Sequence, residues 1–448
     1  MSPPREERMK TYPAYKPSRL SWLKEIPESW DEKRARFLFR VIDERSASGD
    51  EELLSVSHIT GVTPRSEKNI TMFMAESYEG HKLCQPGDLV INSMWAWMAA
   101  LGVSRHHGII SSAYHVYRQH DARTLNTKFL DYLLRTKGYA GEYLCHSKGV
   151  WSSRLLLLPF AFFDIPILVP SRQEQDAIVA FLEAKEREIA TFIRHKRRTI
   201  ELLKEQKAAL INRAVTRGLN PDAPLKPSGI DWLGDIPAHW QRKPAKCYFR
   251  EIDQRSEGGD EELLSVSHIT GVTPRSEKNI TMFMAESYEG SKLCQRGDLV
   301  INIMWAWMGA LGVSDYSGIV SSSYGVYRLK DPTAFNGVYL DNLLRTKGYI
   351  AEYTCRSTGI RSSRLRLYSD EFFLIPIFKP PLEEQNQIVI FVKTQSAEVD
   401  KAVVAAESEI ALIEEYRASL IDAAVTGKID CRNAPEAAHA LAGVNAAD

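Results

Sequence analysis

Side chains that can form bidentate or ionic contacts lie in three segments, each of which occurs twice at an interval of 210 residues. The first segment, HITGVTPRSEKN, begins at His58, and its Gly, Pro and polar residues predict a loop between strands. Hydrogen-bonding and basic groups of this kind suit the phosphates and base edges of nucleic acid, and an exposed structural loop is the alternative. The candidate residues of the two copies are His58, Thr60, Arg65, Ser66 and Lys68, and His268, Thr270, Arg275, Ser276 and Lys278.

The second segment, INSMWAWM, combines an amide side chain with two tryptophans that are separated by one residue. In a strand such tryptophans point to the same face, which predicts core residues rather than a stacking platform for a base. The amide is a candidate for bidentate contact with a base. These residues are Asn92, Trp95 and Trp97 in the first copy and Asn302, Trp305 and Trp307 in the second.

The third segment, HSKGVWSSRL at 146–155, aligns with RSTGIRSSRL at 356–365. Because Ser-Ser-Arg follows a Gly turn in both copies, its side chains suit contact with phosphates or base edges. The candidates are Lys148, Ser152, Ser153 and Arg154, and in the second copy Arg361, Ser362, Ser363 and Arg364. Trp151 aligns with Arg361, so a difference between the two binding sites should arise here or at 105–107.

Sequence patterns of catalysis are absent. The chain has no Gly-x-x-x-x-Gly-Lys loop, no Gly-x-Gly-x-x-Gly, no His-Glu-x-x-His and no Asn-Pro-Pro-Tyr-like tetrad for amino-group methylation. The Arg-His-His run at 105–107 has the side chains of a metal or acid–base site, but its counterpart at 315–317 is Asp-Tyr-Ser. We therefore interpret the run as loop variation and expect a non-catalytic chain without a metal site.

A domain that the chain contains twice must position these segments. Residues 16–215 align with 226–425 without insertion or deletion, and 51–80 are identical to 261–290. Residues 51–104 differ from 261–314 at only four positions. A repeat of this length predicts that each copy is a complete domain with its own core.

Within each copy the pattern is mixed. An irregular segment with Pro and Trp opens the copy, at 16–30 and 226–240, and its aromatic residues are predicted to pack on the domain. The stretches ELLSVSHIT, DLVINSMW, GIISSAYHVYR and FFDIPILVP predict strands, and LDYLLRTKGYAGEYL predicts a helix. Together they indicate an α+β domain of roughly 150 residues.

A long helix follows each domain, at 171–217 and 381–427. Ser171 and Glu174 form a capping box at the first helix start, and Pro381 marks the second. Alternating three- and four-residue steps, with a basic cluster at 194–198 and acidic residues on the second helix, predict an antiparallel coiled coil roughly 65 Å long. The predicted seam residues are Ile178, Leu182, Ile189, Phe192, Thr199, Leu203, Leu210 and Ala214, and Ile388, Val392, Val399, Ala402, Ile410, Ile413, Leu420 and Ala424.

Composition limits the class of protein. The 448 residues, with 44% hydrophobic content, fit two globular halves. The 57 basic and 57 acidic side chains lack the electrostatic footprint of an isolated nucleic-acid binder, although a partner can supply phosphate neutralisation. Six scattered cysteines predict reduced thiols, and the lack of a long apolar stretch or signal segment predicts a cytoplasmic chain.

Motifs at the helix boundaries carry a family resemblance. PPLEEQNQIVIFV at 380–392 and PSRQEQDAIVAFL at 170–182 each follow an Ile-Pro strand and open a long helix. With ALINRAVTRG at 209–218, SLIDAAVTGKID at 419–430 and the opening WLKEIPESW, they resemble the specificity subunit of type I restriction-modification enzymes over essentially the whole chain. The first copy departs from the pattern at Arg172, where the second has Leu382.

The resemblance implies a DNA-recognition subunit without enzymatic activity or a cofactor of its own. It implies, as partners, double-stranded DNA, two methyltransferase subunits that bind S-adenosylmethionine, and translocating restriction subunits that use ATP and Mg²⁺. It also implies target-recognition domains at 1–170 and 218–380, spacer helices at 171–217 and 381–427, and a C-terminal tail at 428–448. Each domain is expected to read one half of an interrupted target, while the helices set the gap and dock the methyltransferase subunits.

Identity of the copies predicts symmetry in the target. The same side chains at 51–80 and 261–290 should meet both halves, and a tandem pair that mimics a two-fold dimer places its copies in opposite senses on the duplex. We therefore expect an inverted repeat, or nearly one. The main alternative is a non-catalytic scaffold with two protein-binding domains on a coiled coil, which the neutral net charge favours slightly.

Overall fold

Two compact units make up the structure, a computed structural model that describes residues 10–68, 77–149, 155–278, 287–360 and 365–434. Unit 1 comprises Met1–Lys196 with Ser408–Asp448, and unit 2 comprises Arg197–Glu407. The order of elements is the same in both, as the repeat requires. Within the described ranges, no helix combines the length and the apolar character needed to span a membrane.

Unit 1 is built from short strands that pair antiparallel. They are β1 (Tyr15–Pro17), β2 (Glu25–Pro27), β3 (Asp31–Arg34), β4 (Phe39–Ile42), β5 (Leu54–Ser57), β6 (Gly61–Pro64), β7 (Lys82–Cys84), β8 (Leu89–Ile91), β9 (Leu101–Val103), β10 (Gly108–Ile110), β11 (His115–Gln119) and β12 (Pro166–Val169). One sheet has four strands in the order β4-β11-β8-β9, and the two-stranded sheets are β1-β2, β3-β12, β5-β6 and β7-β10.

Three short helices and one long helix complete this half of the chain. They are α1 (Thr127–Leu134), α2 (Lys137–His146), α3 (Pro159–Asp164) and α4 (Arg172–Arg217). The side-chain oxygen of Asn126 caps α1 by accepting from the N–H groups of Lys128 and Phe129. At the start of α4 the Ser171 hydroxyl accepts from the N–H of Glu174, which is one half of the predicted capping box, whereas the Glu174 carboxyl interacts with Tyr12.

Unit 2 repeats this arrangement. Its strands are β13 (Leu225–Pro227), β14 (Asp235–Pro237), β15 (Gln241–Pro244), β16 (Phe249–Glu251), β17 (Leu264–Ser267), β18 (Gly271–Pro274), β19 (Lys292–Cys294), β20 (Leu299–Ile301), β21 (Leu311–Val313), β22 (Gly318–Val320), β23 (Gly325–Leu329) and β24 (Pro376–Lys379). Its helices are α5 (Gly337–Leu344), α6 (Lys347–Arg356), α7 (Ser369–Leu374) and α8 (Leu382–Val425). The four-stranded sheet has the order β16-β23-β20-β21.

The structure confirms the predicted fold class. Several stretches that were each predicted as one element form two elements instead. GIISSAYHVYR forms two strands, β10 and β11, and FFDIPILVP forms the end of α3 followed by β12. The stretch predicted as one helix from 130 to 144 is two helices, α1 and α2. The chain leaves the helical conformation at Thr136, whose hydroxyl caps α2 by accepting from the N–H of Tyr139.

The opening segments pack on their units as predicted. Trp30 is fully buried and Trp240 is 1% exposed. The Trp22 ring lies edge-on to Tyr139, with centroids 5.5 Å apart. It also covers Gly138, where an added Cβ would approach the indole ring to 2.4 Å. Because Gly138 has no side chain, the Trp22 ring can pack against the start of α2.

Each unit also has a small second core beneath its β5-β6 or β17-β18 ribbon. In unit 1 it consists of Ile42, Leu54, Val56, Val62, Cys84, Val90, Ile110 and Val116. Burial raises the pKa of the Cys84 thiol to about 12, so this cysteine is an apolar packing group at neutral pH. All six cysteines of the chain are free thiols.

The large cores cross the boundary between the two sequence copies. In unit 1 the core contains Leu420, Ala424 and Val425 from the end of α8. In unit 2 it contains Ala214 and Val215 from the end of α4. The prediction that each copy has its own complete core is therefore wrong, because the helix of one copy supplies apolar residues that the core of the other unit needs.

Helices α4 and α8 pack together in an antiparallel sense. The ion pairs between them join Glu186 to Arg417 at 2.6 Å and Lys196 to Glu409 at 2.6 Å within unit 1, and Lys207 to Asp400 at 2.7 Å within unit 2. Along these pairs the residue numbers on α4 rise while those on α8 fall, so the two helices run antiparallel. The predicted complementarity of charge between the helices is thus present, although only Lys196 of the basic cluster forms an ion pair with α8 among the described residues.

The middle of the seam is shifted from the predicted one. Phe192 is 37% exposed and Thr199 is also exposed, whereas Ile200 is 8% exposed. On α8, Ala402 is exposed and Val403 is buried. The observed heptad positions of α4 are Leu182, Glu186, Ile189, Ile193, Lys196, Ile200, Leu203, Lys207, Leu210 and Ala214. A pattern of apolar residues alone misses this phase because three of the seam positions carry charged side chains that pair with α8.

We expect Val425→Ala to destabilise unit 1 by about 2 kcal/mol, since it removes two methyl groups from a fully buried position. Hydrogen exchange of the α1 and α2 amides should accelerate by up to about thirtyfold, while amides of α5 and α6 keep their rates. The matched control is Leu412→Ala on the same helix, where the side chain is 65% exposed. Equal acceleration in both units would contradict this assignment of Val425 to the unit 1 core.

Candidate nucleic-acid interface

The β5-β6 ribbon of unit 1 ends in a short turn that carries His58, Ile59 and Thr60. The Ser57 hydroxyl accepts from the N–H of Thr60 at 3.1 Å and lies 2.9 Å from the Thr60 hydroxyl. Gly61 has a φ of 66°, a left-handed conformation that a side chain would strain. The turn therefore has one defined backbone geometry, and the Thr60 hydroxyl is already engaged within it.

An arginine from the end of α1 holds this turn from outside. Arg135 donates from Nη2 to the carbonyl oxygens of His58 at 3.0 Å and Ile59 at 2.7 Å. Its guanidinium also pairs with Asp131 at 3.3 Å, and the other carboxylate oxygen of Asp131 accepts from the N–H of Val103. Charge-assisted hydrogen bonds of this type are the strong ones, so the turn is fixed to the helix and to β9.

Unit 2 repeats the same anchor. Arg345 donates to the carbonyl oxygens of His268 and Ile269, both at 2.8 Å, and pairs with Asp341. Burial raises the pKa of Asp341, and the Arg345 charge opposes this shift. Sequence reasoning missed both arginines because they are 77 and 76 residues from the carbonyls that they bind.

The isoleucine at each tip is the second feature that the sequence did not single out. Ile59 is 75% exposed and Ile269 is 74% exposed. His58 and Thr60 beside Ile59 are also exposed, as are their counterparts in unit 2. A rigid turn thus presents one large apolar side chain between two polar ones.

The predicted residues of the first segment do not lie together. Arg65 and Ser66 follow β6 in a 3₁₀ turn at the opposite end of the ribbon from His58. Ser66 donates to the Glu52 carboxylate at 3.3 Å. Burial lowers the pKa of the Lys68 ammonium group, and that of Lys278 in unit 2, so a nearby anion would favour the charged form of each.

The prediction that Asn92 and Asn302 contact bases is not supported, because the two residues are 6% and 7% exposed. Asn302 donates from its amide to the Tyr324 hydroxyl at 3.2 Å. Burial raises the pKa of Tyr324, and the positive charge of Arg275 opposes this. Asn302 therefore lies behind the surface and supports Tyr324.

The prediction that the tryptophans are core residues is wrong, because the first of each pair is exposed and the second, Trp97 or Trp307, is only half-buried. Trp95 is 48% exposed and Trp305 is 50% exposed. Strand β8 ends at Ile91, and the chain turns into a short 3₁₀ helix at 96–98, so the alternation of a strand no longer applies. The rings of Trp95 and Trp97 stack with centroids 6.0 Å apart.

The third segment is described only in part. Lys148 is exposed, its backbone pairs with Leu156, and its ammonium lies 5.2 Å from the centre of the Phe160 ring. The other candidates lie outside the described residues: Ser152, Ser153, Arg154, Arg361, Ser362, Ser363 and Arg364.

Unit 2 contains a basic cleft of about 880 Å³ between the last turns of α4 and the helices α5 and α6. His268 from the ribbon tip is one of its lining residues. The cationic lining residues are Arg213, Arg217, Arg345 and Lys347, and the corresponding residues of unit 1 are Ala423, Gly427, Arg135 and Lys137. The two units are thus alike at the ribbon and different in the charge beside it.

The chain is similar to solved structures of known proteins. A chain from work on "complex assembly and conformational transition of the type I R-M system" is 15% identical, with a TM-score of 0.59, and the match covers 90% of this chain and 99% of that one. The HsdS subunit from Thermoanaerobacter tengcongensis matches with 15% identity and a TM-score of 0.47, over 90% and 98% of the two chains. The type I restriction-modification S subunit from M. genitalium matches with 11% identity and a TM-score of 0.32, over 89% and 96%.

The similarity lies in the fold rather than in the sequence. No family model matches the chain, and no curated protein has a significantly similar sequence. The first structural match shows a common fold over nearly the full length of both chains. The resemblance predicted from the helix-boundary motifs is confirmed at that level.

We expect Arg135→Met to loosen the ribbon tip of unit 1 only. The change keeps the apolar stem but removes two charge-assisted hydrogen bonds, so amide exchange at 57–61 should accelerate about tenfold or more. Peptides within 51–80 have the same mass as those within 261–290. The single variant should therefore give two isotope envelopes of equal intensity, one of them shifted.

The double variant Arg135→Met with Arg345→Met is the matched control and should give one shifted envelope. A single unshifted envelope for Arg135→Met would show that the arginine does not hold the turn.

Proposed function

We propose that the chain is the DNA sequence-recognition subunit of a type I restriction-modification complex and is itself non-catalytic. The observation that carries this proposal is the pair of repeated units, each with an exposed ribbon tip, joined by two antiparallel helices of 46 and 44 residues. Each recognition domain, at 1–170 and 218–380 in the sequence, reads one half of an interrupted target. The common fold with a type I restriction-modification protein supports the assignment.

The two half-targets form an inverted repeat or nearly so. The ribbon tips and their arginine anchors are the same in both units, down to the hydrogen bonds. The antiparallel helices suit a two-fold relation between half-sites, whose spacing on DNA then follows from protein geometry. Any difference between the half-sites arises at 105–107 and 146–155, where the copies differ in sequence, or from the basic cleft of unit 2.

Partner subunits supply the chemistry. Two methyltransferase subunits bring S-adenosylmethionine, and translocating subunits bring the sites for ATP and Mg²⁺. The outer faces of the helices carry apolar side chains suited to packing against partner helices, among them Leu412 at 65% exposure in unit 1 and Ile390 at 66% in unit 2. We propose that these side chains contribute to the contacts with the methyltransferase subunits.

Mapping of N6-methyladenine in the host genome tests the function. With the gene present, methylation should occur at an interrupted inverted repeat, with one methylated adenine on each strand, and it should vanish when the gene is deleted. Unrelated half-sites, or a continuous motif, would contradict the proposed symmetry. If the purified chain with its methyltransferase partner shows no salt-dependent DNA binding, the alternative of a protein-binding scaffold is the better interpretation.

We expect Leu412→Asp and Ile390→Asp to reduce association with the methyltransferase subunits by roughly tenfold or more each, because an aspartate in a packed interface loses its hydration. Both side chains are exposed in the free chain, so its melting temperature should stay nearly unchanged. Association is measured by analytical ultracentrifugation or interferometry with the purified partner. Glu398→Asp, at a charged exposed position on the same helix, is the control and should assemble normally.

A further inference from the structure

The two ribbons each present one apolar side chain to solvent. Ile59 and Ile269 are about three-quarters exposed, whereas Leu54, Val56 and Val62 of the first ribbon are buried in the small core. Turns are normally occupied by Gly, Asn, Asp and Ser, and an exposed isoleucine forgoes the favourable free energy of burial. Folding of the unit therefore gives no reason for this residue at either tip.

Hydrogen bonds hold the backbone of the isoleucine in place, although its side chain is exposed to solvent. The carbonyl group of Ile59 itself is one of the two acceptors for Arg135, and Ile269 has the same bond to Arg345. Ser57 and Ser267 close the turns from within. Side chains held in one place by rigid surroundings suit recognition, because little conformational entropy is lost on binding.

The shape of the ribbon selects the kind of partner. The β5-β6 and β17-β18 pairs are two-stranded antiparallel sheets that pack on the small cores and leave their tips exposed, and the major groove of B-form DNA, about 12 Å wide, admits the end of such a ribbon. In that groove the C5-methyl group of thymine is the apolar feature of the base edges, and it lies beside hydrogen-bonding atoms. An isoleucine next to an exposed histidine matches that combination of groups.

We infer that the tip of each ribbon enters the DNA major groove and that Ile59 and Ile269 each pack against the C5-methyl group of one thymine, one in each half of the target. This inference rests on the proposed function and adds the residue that reads a base. His58 and His268 lie beside that contact, and Arg135 and Arg345 act as positioning residues for it. Lys68 and Lys278, at the other end of the ribbons, contact phosphates in this arrangement.

Deoxyuridine, which lacks the C5-methyl group, provides the test. Duplexes carrying the target found by methylation mapping are prepared with each thymine of one half-site replaced in turn, and binding by the complex with methyltransferase subunits is measured by competition. One thymine per half-site should be sensitive, with binding three- to fourfold weaker on the deoxyuridine duplex. Ile59→Ala should abolish that sensitivity in one half-site and Ile269→Ala in the other.

Control measurements separate this inference from the proposed function. Val41→Ala, which trims a 42% exposed side chain elsewhere in unit 1, should keep both sensitivities. Tight binding of the unmodified duplex without any thymine sensitivity, or sensitivity that persists in the isoleucine variants, would overturn the inference and leave the function standing. Loss of methyltransferase assembly in the isoleucine variants would instead assign the tips to a protein interface, and absence of DNA binding by the complex would overturn the function itself.

Discussion

Closure of each large core by the end of a long helix is the interaction on which the structure depends. Val425 and Ala424 are fully buried in unit 1, and Val215 is fully buried in unit 2. The following threonines, Thr426 and Thr216, are buried as well and return their hydroxyl groups to carbonyls one turn earlier in the helix. Burial of this apolar end stabilises the unit and the helix terminus together, because apolar surface of both is removed from water.

Further contacts in unit 1 join the first described residues to the segment that follows α8. After α8, Asp430 donates its N–H to the carbonyl of Lys10 at 2.7 Å, and the Tyr15 hydroxyl binds the carbonyl of Gly427. The corresponding place in unit 2 is filled by the continuous chain from Arg217 to β13. In unit 1, noncovalent contacts between two distant segments therefore hold together positions that the continuous chain connects in unit 2.

The repeat and the helix boundaries could be predicted from sequence because they depend on local pattern, as the cap at Ser171 shows. The residues of the helix–helix seam could not all be predicted. Lys196 and Lys207 occupy interface positions that a purely apolar pattern assigns to the surface. The candidate site was harder to predict from the sequence than the helices. Burial of Asn92 and exposure of Trp95 both depend on where β8 ends, and the arginine anchor joins residues far apart in the chain.

Differences between the copies show which features are constrained by packing and which by the surface. Gly309 has a φ of 82°, and a Cβ added there would lie 2.9 Å from Ile350. The first copy has Ala99 and Ala140 at these positions, so the larger residue at one site is matched by a smaller one at the other. Interior pairs can therefore change together without altering the fold. The exposed tip at 58–60 is the same in both copies, as is the whole stretch 51–80, so the two units offer the same groups to a ligand.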